Sequence, residues 1–239
     1  MSGVGDGLTA ANANWNFKGD VAKNFDEHVS RSVPFYNEGH ELICNLSDFF
    51  VGKNSLCYEL GTSTGELTLK LARHNSTKPE ARFVGIDIEP DMIKMALEKK
   101  KQSSAVNVEF EAADIFQYNY EKADVFTAYY TLQFVKPRVR QDIFNRIYEN
   151  LNWGGAFILF EKVRANDARF QDIMTGLYNE YKLRQGYTAE EIVSKARSLK
   201  GVLEPFSSQG NADLLKRAGF VDVITVFKYV CFEGFLAIK

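Results

Sequence analysis

The fold is decided by the stretch Cys57–Gly65, which reads Cys-Tyr-Glu-Leu-Gly-Thr-Ser-Thr-Gly. Its apolar beginning is typical of a short buried strand, and the two glycines form a turn before a helical pattern. In an open α/β sheet, ligands bind beyond the carboxyl ends of the strands, where this turn would lie. The candidate ligand contacts in the turn are Glu59, Gly61, Ser63 and Gly65.

The turn lacks two common phosphate-binding patterns. A dinucleotide fingerprint has a glycine at the position of Ser63, which lets the backbone approach a pyrophosphate. A P-loop has Lys followed by Ser or Thr after its last glycine, and Glu66 follows Gly65 instead. The turn therefore suits a nucleoside that carries no phosphate.

Acidic residues also follow the next two predicted strands. Asp87 lies 22 residues after Gly65, near the ~20-residue offset at which an acid accepts hydrogen bonds from ribose hydroxyls. Asp114 could accept from an adenine amino group while Ile115 packs on the ring, and Ile88 is a further candidate contact. A single loop aspartate is usually a cap or turn residue, but acids at consecutive strand ends favour a nucleoside site.

From position 55 onward, short β-branched or aromatic runs alternate with amphipathic stretches, which predicts an α/β fold with a mostly parallel sheet. The seven predicted strands, the end of the sheet being antiparallel, are Ser55–Leu60, Arg82–Ile86, Val106–Glu111, Ala123–Ala128, Ala156–Glu161, Phe220–Val230 and Phe232–Ile238. Two successive helical patterns, at 167–184 and 189–200, interrupt the alternation. The sequence therefore predicts an inserted helical cap.

The domain organisation follows from these patterns. Residues 1–16 are rich in Gly, Asn and Ala and predict a flexible start, whereas 17–239 predict one domain. Within it, 164–205 form the cap insertion, and 17–50 carry apolar residues at helical spacing. We interpret 17–50 as a helical lid, with simple packing against the sheet as the alternative.

The composition is globular, with 45% hydrophobic and 25% charged residues in 239, which excludes wholly disordered and coiled-coil chains. A net charge of −2 argues against direct nucleic-acid binding. Cys44, Cys57 and Cys231 lie too far apart in sequence to indicate a zinc site or a disulfide framework. Without an apolar run of about 18 residues, we expect a cytoplasmic protein with no membrane partner.

The loop and its acids resemble class I S-adenosylmethionine (SAM) dependent methyltransferases. Further strings are similar to the bacterial carboxy-SAM synthase family, which serves tRNA wobble-uridine modification. They are Phe25–Val29, Arg31–Tyr36, Tyr130–Phe134, Asn152–Ala156, Glu161–Lys162 and Gly186–Thr188. The resemblance runs from about residue 17 to the C-terminus. It implies a Rossmann-like fold, SAM as cofactor, a homodimer, and ligand contacts from Tyr36, Gly61, Ser63, Asp87, Asp114 and Ile115.

Two departures from that family bear on function. Tyr129 replaces the Asn that precedes the family's Phe-Thr-Leu-Gln-Phe string, and Ala196 stands where the family has the arginine that grips the added carboxylate. Arg197 is one position late, which on a helix turns a side chain by about 100°. The changes favour ordinary SAM, although a local shift in register could restore Arg197.

The predicted function is methyl transfer from SAM to a small molecule. The aromatic surfaces of Tyr36, Tyr129 and Phe134 could stabilise the sulfonium cation. An acceptor that must lose a proton would need a base, and His28, His40 and Glu41 are the candidates.

On the acceptor side, we predict contacts from Tyr130, Phe134, Lys162 and Arg197, and an anionic acceptor if basic cap residues such as Lys182 and Lys195 face inward. The alternatives are a carboxy-SAM synthase that uses SAM and prephenate, and a SAM-binding module without activity.

Overall fold

The computed structural model describes residues 2–6, 8–15, 17, 24–103 and 105–239. The strands are β1 (Ser2–Gly5), β2 (Leu8–Ala10), β3 (Leu56–Leu60), β4 (Arg82–Asp87), β5 (Val108–Ala112), β6 (Ala123–Tyr129), β7 (Leu151–Lys162), β8 (Asp222–Tyr229) and β9 (Phe232–Ile238). The helices are α1 (Phe25–Ser32), α2 (Tyr36–Ser47), α3 (Glu66–His74), α4 (Pro90–Gln102), α5 (Pro137–Asn150), α6 (Ala168–Arg184), α7 (Ala189–Ser198) and α8 (Ser208–Ala218), with a short 3₁₀ turn at Leu132–Phe134.

Seven strands form one sheet in the order β5-β4-β3-β6-β7-β9-β8. All neighbours pair in parallel except β9, which is antiparallel to β7 and β8. Leu60 at the end of β3 pairs with Ile86 and Ala128, so three carboxyl ends lie level at one edge. The arrangement confirms the predicted Rossmann-like α/β sheet.

Apolar side chains cover both faces of the sheet. Phe83 belongs to one buried cluster and its neighbour Val84 to the other, because successive strand residues point to opposite faces. Ile43 of α2 packs in the first cluster, while Phe144 of α5 and Leu215 of α8 pack in the second. Burial on both faces explains why the central strands read as continuous apolar runs.

Four strand starts differ from their predicted positions: β3 and β8 begin at Leu56 and Asp222, shortly after the predicted starts, and the other two are those of β5 and β7. Val106 is 88% exposed, and β5 begins at Val108, because Asn107 is held in a loop where its amide donates to the Ala81 carbonyl oxygen at 2.6 Å. β7 begins earlier than predicted, because its first residue Leu151 already pairs with β6. Residues 152–155, which include Gly154 and Gly155, therefore form an irregularity within the ladder.

The start of the chain is a correction to the predicted flexible segment 1–16. β1 and β2 pair as a hairpin, and Val4, Leu8 and Trp15 are buried in a small core. Ala13 N and Trp15 N donate to carbonyl oxygens of α7 at 3.0 and 3.1 Å. The sequence conceals this arrangement because the three apolar residues do not follow the alternating pattern of a strand. We call residues 2–6 and 8–15 the N-terminal strap.

The predicted lid and cap segments both contain helices. α1 and α2 lie within 17–50, and α6 and α7 lie within 164–205. The helix in the lid begins at Phe25; of the apolar series that starts at Phe17, Val21 lies outside the described residues. Among the described residues, no helix is both long and apolar enough to cross a membrane.

Candidate functional site

The carboxyl ends of β3 to β7 open into one cavity of about 960 Å³, which α1, α6, α7 and the N-terminal strap also border. The cavity brings together most of the predicted site residues. Those that line it are His28, Tyr36, Glu59, Gly61, Ser63, Asp87, Ile88, Asp114, Ile115, Tyr129, Tyr130, Phe134 and Lys162. Gly65, His40, Glu41 and Arg197 do not line it.

The glycine turn after β3 is fixed by contacts that leave no room for side chains. Gly61 has a φ of +74°, and a Cβ there would collide with Thr131. Its N–H donates to the Ile86 carbonyl oxygen at 2.7 Å, which ties the turn to β4. Gly65 has a φ of +80°, and a Cβ there would collide with Phe110 and Ala96, so this glycine serves close packing.

Asp87 closes β4 and faces the cavity with 8% of its surface exposed. Its Oδ2 accepts a hydrogen bond from Ser63 N and its Oδ1 from Glu89 N, both at 2.9 Å. Burial raises its pKa, and these two backbone donors oppose the rise. A carboxylate has about four lone-pair sites, so Asp87 retains capacity for further donors such as hydroxyls.

Asp114 and Ile115 are held in a rigid turn after β5. The Asp114 Oδ1 accepts from Phe116 N at 2.8 Å, and its carbonyl oxygen accepts from Tyr118 N at 2.9 Å. The carbonyl oxygen of Ile115 accepts from the Tyr120 hydroxyl at 2.7 Å. The cavity thus has an acid and an apolar side chain side by side after β5.

Glu59 is buried at the end of β3 and anchors the glycine turn. Its Oε2 accepts hydrogen bonds from the hydroxyls of Thr62, at 2.9 Å, and Thr68. Burial raises its pKa to about 7, despite these hydrogen bonds. Its side chain therefore holds the turn from behind while also bordering the cavity.

Tyr36 and Tyr129 form an aromatic wall. Their ring centroids lie 5.1 Å apart, and the Tyr129 hydroxyl donates to the Tyr36 carbonyl oxygen at 2.7 Å. The His40 ring packs 4.7 Å from each of them, behind the wall, and is 1% exposed. Burial and the charge of Lys70 lower the pKa of His40 to about 3, so it is neutral. Glu41 borders a separate pocket of about 270 Å³.

His28 is the only one of the three predicted bases that reaches the cavity, and both of its ring nitrogens are engaged. Nδ1 lies 2.5 Å from Oδ2 of Asp6 in the strap, and Nε2 lies 3.2 Å from Nζ of Lys195, whose pKa is lowered by burial to about 6. Burial and the Lys195 charge lower the pKa of His28 to about 4. No lone pair remains for a substrate proton while these contacts hold.

Gln133 joins the ends of β6 and β7 below the acceptor side of the cavity. Its Oε1 accepts from Lys162 N at 2.8 Å, and its Nε2 donates to the Tyr130 carbonyl oxygen at 3.1 Å. Phe134 next to it lines the cavity and contacts Phe17 edge-on at 5.0 Å. Gln133 stands within the Thr-Leu-Gln-Phe string of the family resemblance, and that string is the signal from which its role could be predicted.

The cap helix α7 reaches the cavity through Lys195 and Ala196, whereas Arg197 is exposed outside it. The backbone oxygen of Arg197 accepts from Ala13 N in the strap at 3.0 Å. The expected rotation of about 100° between neighbouring helical residues accounts for the difference. The position at which the related family has an arginine is therefore occupied by Ala196, whose side chain is a single methyl group.

Four functional neighbours of the cavity were not predicted. Asp6 and Trp15 belong to a segment without the apolar–polar alternation of a strand, and Tyr178 and Tyr187 look like ordinary aromatic residues of a helix or a loop. The Tyr187 hydroxyl donates to Asp6 at 2.6 Å and the Tyr178 hydroxyl donates to the Ser32 carbonyl oxygen at 2.8 Å. These hydrogen bonds join the strap, α1 and the cap to one another. Because the partners lie far apart in the sequence, only the tertiary structure reveals them.

Comparison with known sequences identifies relatives along nearly the whole chain. Residues 53–216 match the model of a family described as a methyltransferase domain. The carboxy-S-adenosyl-L-methionine synthase of Staphylococcus epidermidis is 36% identical over 226 residues, which cover 94% of this chain and 97% of that protein. The synthase of Campylobacter lari is 37% identical, with 94% of each chain covered.

Comparison with solved structures finds the same fold. The SAM-dependent methyltransferase SibL has a TM-score of 0.62 at 17% identity, with 86% of this chain and 55% of that chain covered. Human N-acetylserotonin methyltransferase in complex with SAM has a TM-score of 0.56 at 20% identity, with 94% and 60% covered. The chain thus spans less than two thirds of the length of these structures.

Proposed function

The chain belongs to the family of methyltransferase domains, and on that premise we propose that it transfers the methyl group of SAM to a small-molecule acceptor. It is an enzyme with SAM as its cofactor. One observation carries the proposal: the Gly61 turn, Asp87 and Asp114 follow three adjacent strands and line the same cavity.

The residues present fit the nucleoside of SAM. The turn at 61–63 brings backbone to the cavity without side-chain bulk, and Asp87 has unused lone pairs for ribose hydroxyls. Asp114 is placed to accept from an amino group, with Ile88 and Ile115 as apolar neighbours of a base. The volume of about 960 Å³ is at the upper end of small-molecule sites, which leaves space for an acceptor.

When bound, SAM supplies a methyl group that is already activated by its positive sulfur. The protein therefore has to orient the acceptor and exclude water, and orientation alone can contribute ~7–11 kcal/mol. Tyr36 and Tyr129 present aromatic faces to a cation, each of which can contribute ~0.5–2 kcal/mol. The cap helices α6 and α7 and the N-terminal strap border the cavity on the side opposite the strand ends.

We infer that transfer uses no histidine base. The ring nitrogens of His28 are held by Asp6 and Lys195, and His40 is buried behind Tyr129. An acceptor atom that is already a nucleophile at neutral pH suits such a site.

The experiment is incubation of the full chain with methyl-labelled SAM and fractionated small metabolites. Transfer of label to a metabolite, together with formation of S-adenosylhomocysteine, would support the proposal. Binding of SAM without transfer to any fraction would favour a binding module.

A second candidate is carboxy-SAM synthesis, because relatives of that name share 36–37% identity over 94% of the chain. Ala196 at the place of the carboxylate-binding arginine argues against it. Mass spectrometry of the nucleoside retained after expression distinguishes the two, because carboxy-SAM is heavier than SAM by one carboxyl group.

We also propose that the enzyme is a cytoplasmic homodimer without direct contact to nucleic acid. The near-neutral charge of −2 supports the last point, and the resemblance to the synthase family supports the dimer.

A further inference from the structure

Two lysines face the acceptor side of the cavity around one tyrosine. Lys162 ends β7, and Lys182 lies near the end of the cap helix α6. Their ammonium nitrogens lie 4.3 and 4.5 Å from the centroid of the Tyr178 ring. Both line the cavity, so two cations from different elements meet at one place.

Neither lysine has a counter-ion within the described part of the chain. No carboxylate lies within ion-pair distance of either nitrogen there, and the nearby Cys231 thiol stays neutral because burial raises its pKa. Burial lowers the pKa of Lys182 to about 8, and the charge of Lys162 adds to that effect. Both side chains are half-buried. Charges that are partly removed from water and have no partner are costly, so two together indicate a missing anion.

Two other charged side chains that line the cavity from α7, Lys195 and Glu191, already have partners. Lys195 lies beside His28 and over the Trp15 ring, and Glu191 caps its own helix by accepting from Thr188 N at 2.8 Å. The lysine pair is thus a separate feature, and its surroundings are apolar. They include Tyr130, Met174 and Phe232.

We propose that Lys162 and Lys182 bind the carboxylate of the methyl acceptor, which is a small organic acid with an apolar body. This inference rests on the proposed function and names the substrate class of the same site. The body of the acid packs among the aromatic side chains, while its carboxylate takes the place of the counter-ion that the lysines lack.

SAM itself carries a carboxylate on its methionine part, and the order of the strands separates the proposed nucleoside contacts from the lysines. The proposed nucleoside contacts follow β3, β4 and β5, whereas Lys162 ends β7, two strands beyond β3 on the other side. Neighbouring strands are about 4.8 Å apart. The lysine pair therefore lies beyond the aromatic wall of Tyr129, on the acceptor side.

The test is calorimetric titration of the S-adenosylhomocysteine complex with benzoate and phenylacetate, with benzamide and phenylacetamide as neutral counterparts. The acids should bind and the amides should not. Lys162→Met and Lys182→Met should each weaken acid binding by about tenfold or more, while nucleoside affinity stays within experimental error. Lys182→Arg should retain much of the affinity. Lys216→Met, on the exposed face of α8, serves as the matched control.

Three outcomes would overturn the proposal. One is equal affinity for acids and amides, and another is acid binding that both Met variants leave unchanged. The third is that the Met variants bind S-adenosylhomocysteine more weakly than the wild-type protein does, but bind methylthioadenosine equally well. Because methylthioadenosine lacks the methionine carboxylate, that result would mean that the lysines hold the cofactor. The acids are also titrated into the protein without nucleoside, so that acid binding can be judged independently of nucleoside binding. If S-adenosylhomocysteine itself did not bind, that result would contradict the proposed function and not the role of the lysines.

Discussion

At the scale of single residues, the acids at the strand ends have different tasks because their surroundings differ. Glu59 is enclosed, accepts from the hydroxyls of Thr62 and Thr68 and from the Thr68 backbone, and has a pKa raised by burial to about 7. Asp87 accepts from two backbone N–H groups and keeps a face toward the cavity. Glu59 therefore supports the loop, and Asp87 is the residue we propose to meet the ligand.

The substitution Asp87→Ala should lower SAM affinity by about tenfold or more, because charge-assisted hydrogen bonds contribute ~1.5–3 kcal/mol. The fold should persist, since the side chain adds little to the core. Calorimetry measures the affinity and circular dichroism the fold. Asp142→Ala, at an exposed position of α5, is the control, and unchanged affinity in Asp87→Ala would remove Asp87 from the site.

Glu59 also predicts a pH dependence of stability. Because its folded-state pKa is about 7 and its ordinary value is 4.5, the folded protein binds the proton more tightly than the unfolded chain. Relative to Glu59→Gln, the wild-type protein should lose stability as pH rises between these values, by about 3 kcal/mol in all. Urea denaturation at pH 4.5, 6 and 7.5 measures this difference; a constant difference would contradict a buried, proton-binding Glu59.

The sequence could indicate Asp87 because its distance from the glycine turn reflects a general property of nucleoside-binding sheets. It could not reveal the state of His28. That state depends on Asp6 and Lys195, which lie 22 and 167 positions away in the chain. His28 therefore reaches the cavity as predicted, but with both ring nitrogens engaged.

At the scale of elements, the N-terminal strap connects the cap to α1. Asp6 contacts Arg31 and His28, accepts from the Tyr187 hydroxyl, and is buried. Hydrogen bonds from Tyr187 and His28 outweigh the effect of burial and lower the pKa of Asp6. The Asp6 carboxylate, surrounded by donors from α1 and the cap, therefore holds the strap against the cavity.

The substitution Asp6→Asn should loosen the strap, because Arg31 and His28 lose the charge that they face. The amides of Ala13 and Trp15, which donate to α7, should exchange with solvent about tenfold faster or more. Hydrogen exchange with mass spectrometry of the 8–15 peptide measures this.

The central strands should keep their protection in Asp6→Asn. Asp172→Asn, at an exposed position of α6, controls for the loss of one negative charge. Exchange that is equal in the two variants would show that Asp6 does not hold the strap.

The central elements could be predicted because their patterns are local. The four parallel strands from 55 to 128 and the cap helices were recognised from apolar runs and helical spacing. Asp167 caps α6 through Arg169 N at 2.8 Å, as the predicted start at that residue implies. The strap was missed because its hairpin is stabilised by contacts with α7 and not by its own sequence pattern.

At the scale of the whole molecule, the identification from sequence strings is confirmed. The matched family and the relatives cover the region from which the resemblance was drawn. The departure at Ala196 is also consistent with the cavity, which Ala196 lines and Arg197 does not. The sequence could not decide the class of acceptor, because the residues that we propose to contact it lie on β7 and α6, which meet only after folding.

The proposed homodimer predicts a particle of twice the chain mass of 27.1 kDa. The helix α6 presents an apolar stripe to solvent, with Phe170, Ile173 and Leu177 between 48 and 59% exposed. Burial of such a stripe between two copies would remove it from water. Light scattering measures the mass, and Leu177→Asp should shift it toward 27.1 kDa. A wild-type mass of one chain would contradict the dimer.

The walls of the cavity come from both extremes of the described sequence, since Val4 and Phe232 line it 228 positions apart. During synthesis on the ribosome, a growing polypeptide therefore lacks part of the enclosure until β9 has emerged from the exit tunnel. Polypeptides that stop before β9 would be unable to sequester the cofactor, however well their first strands had assembled.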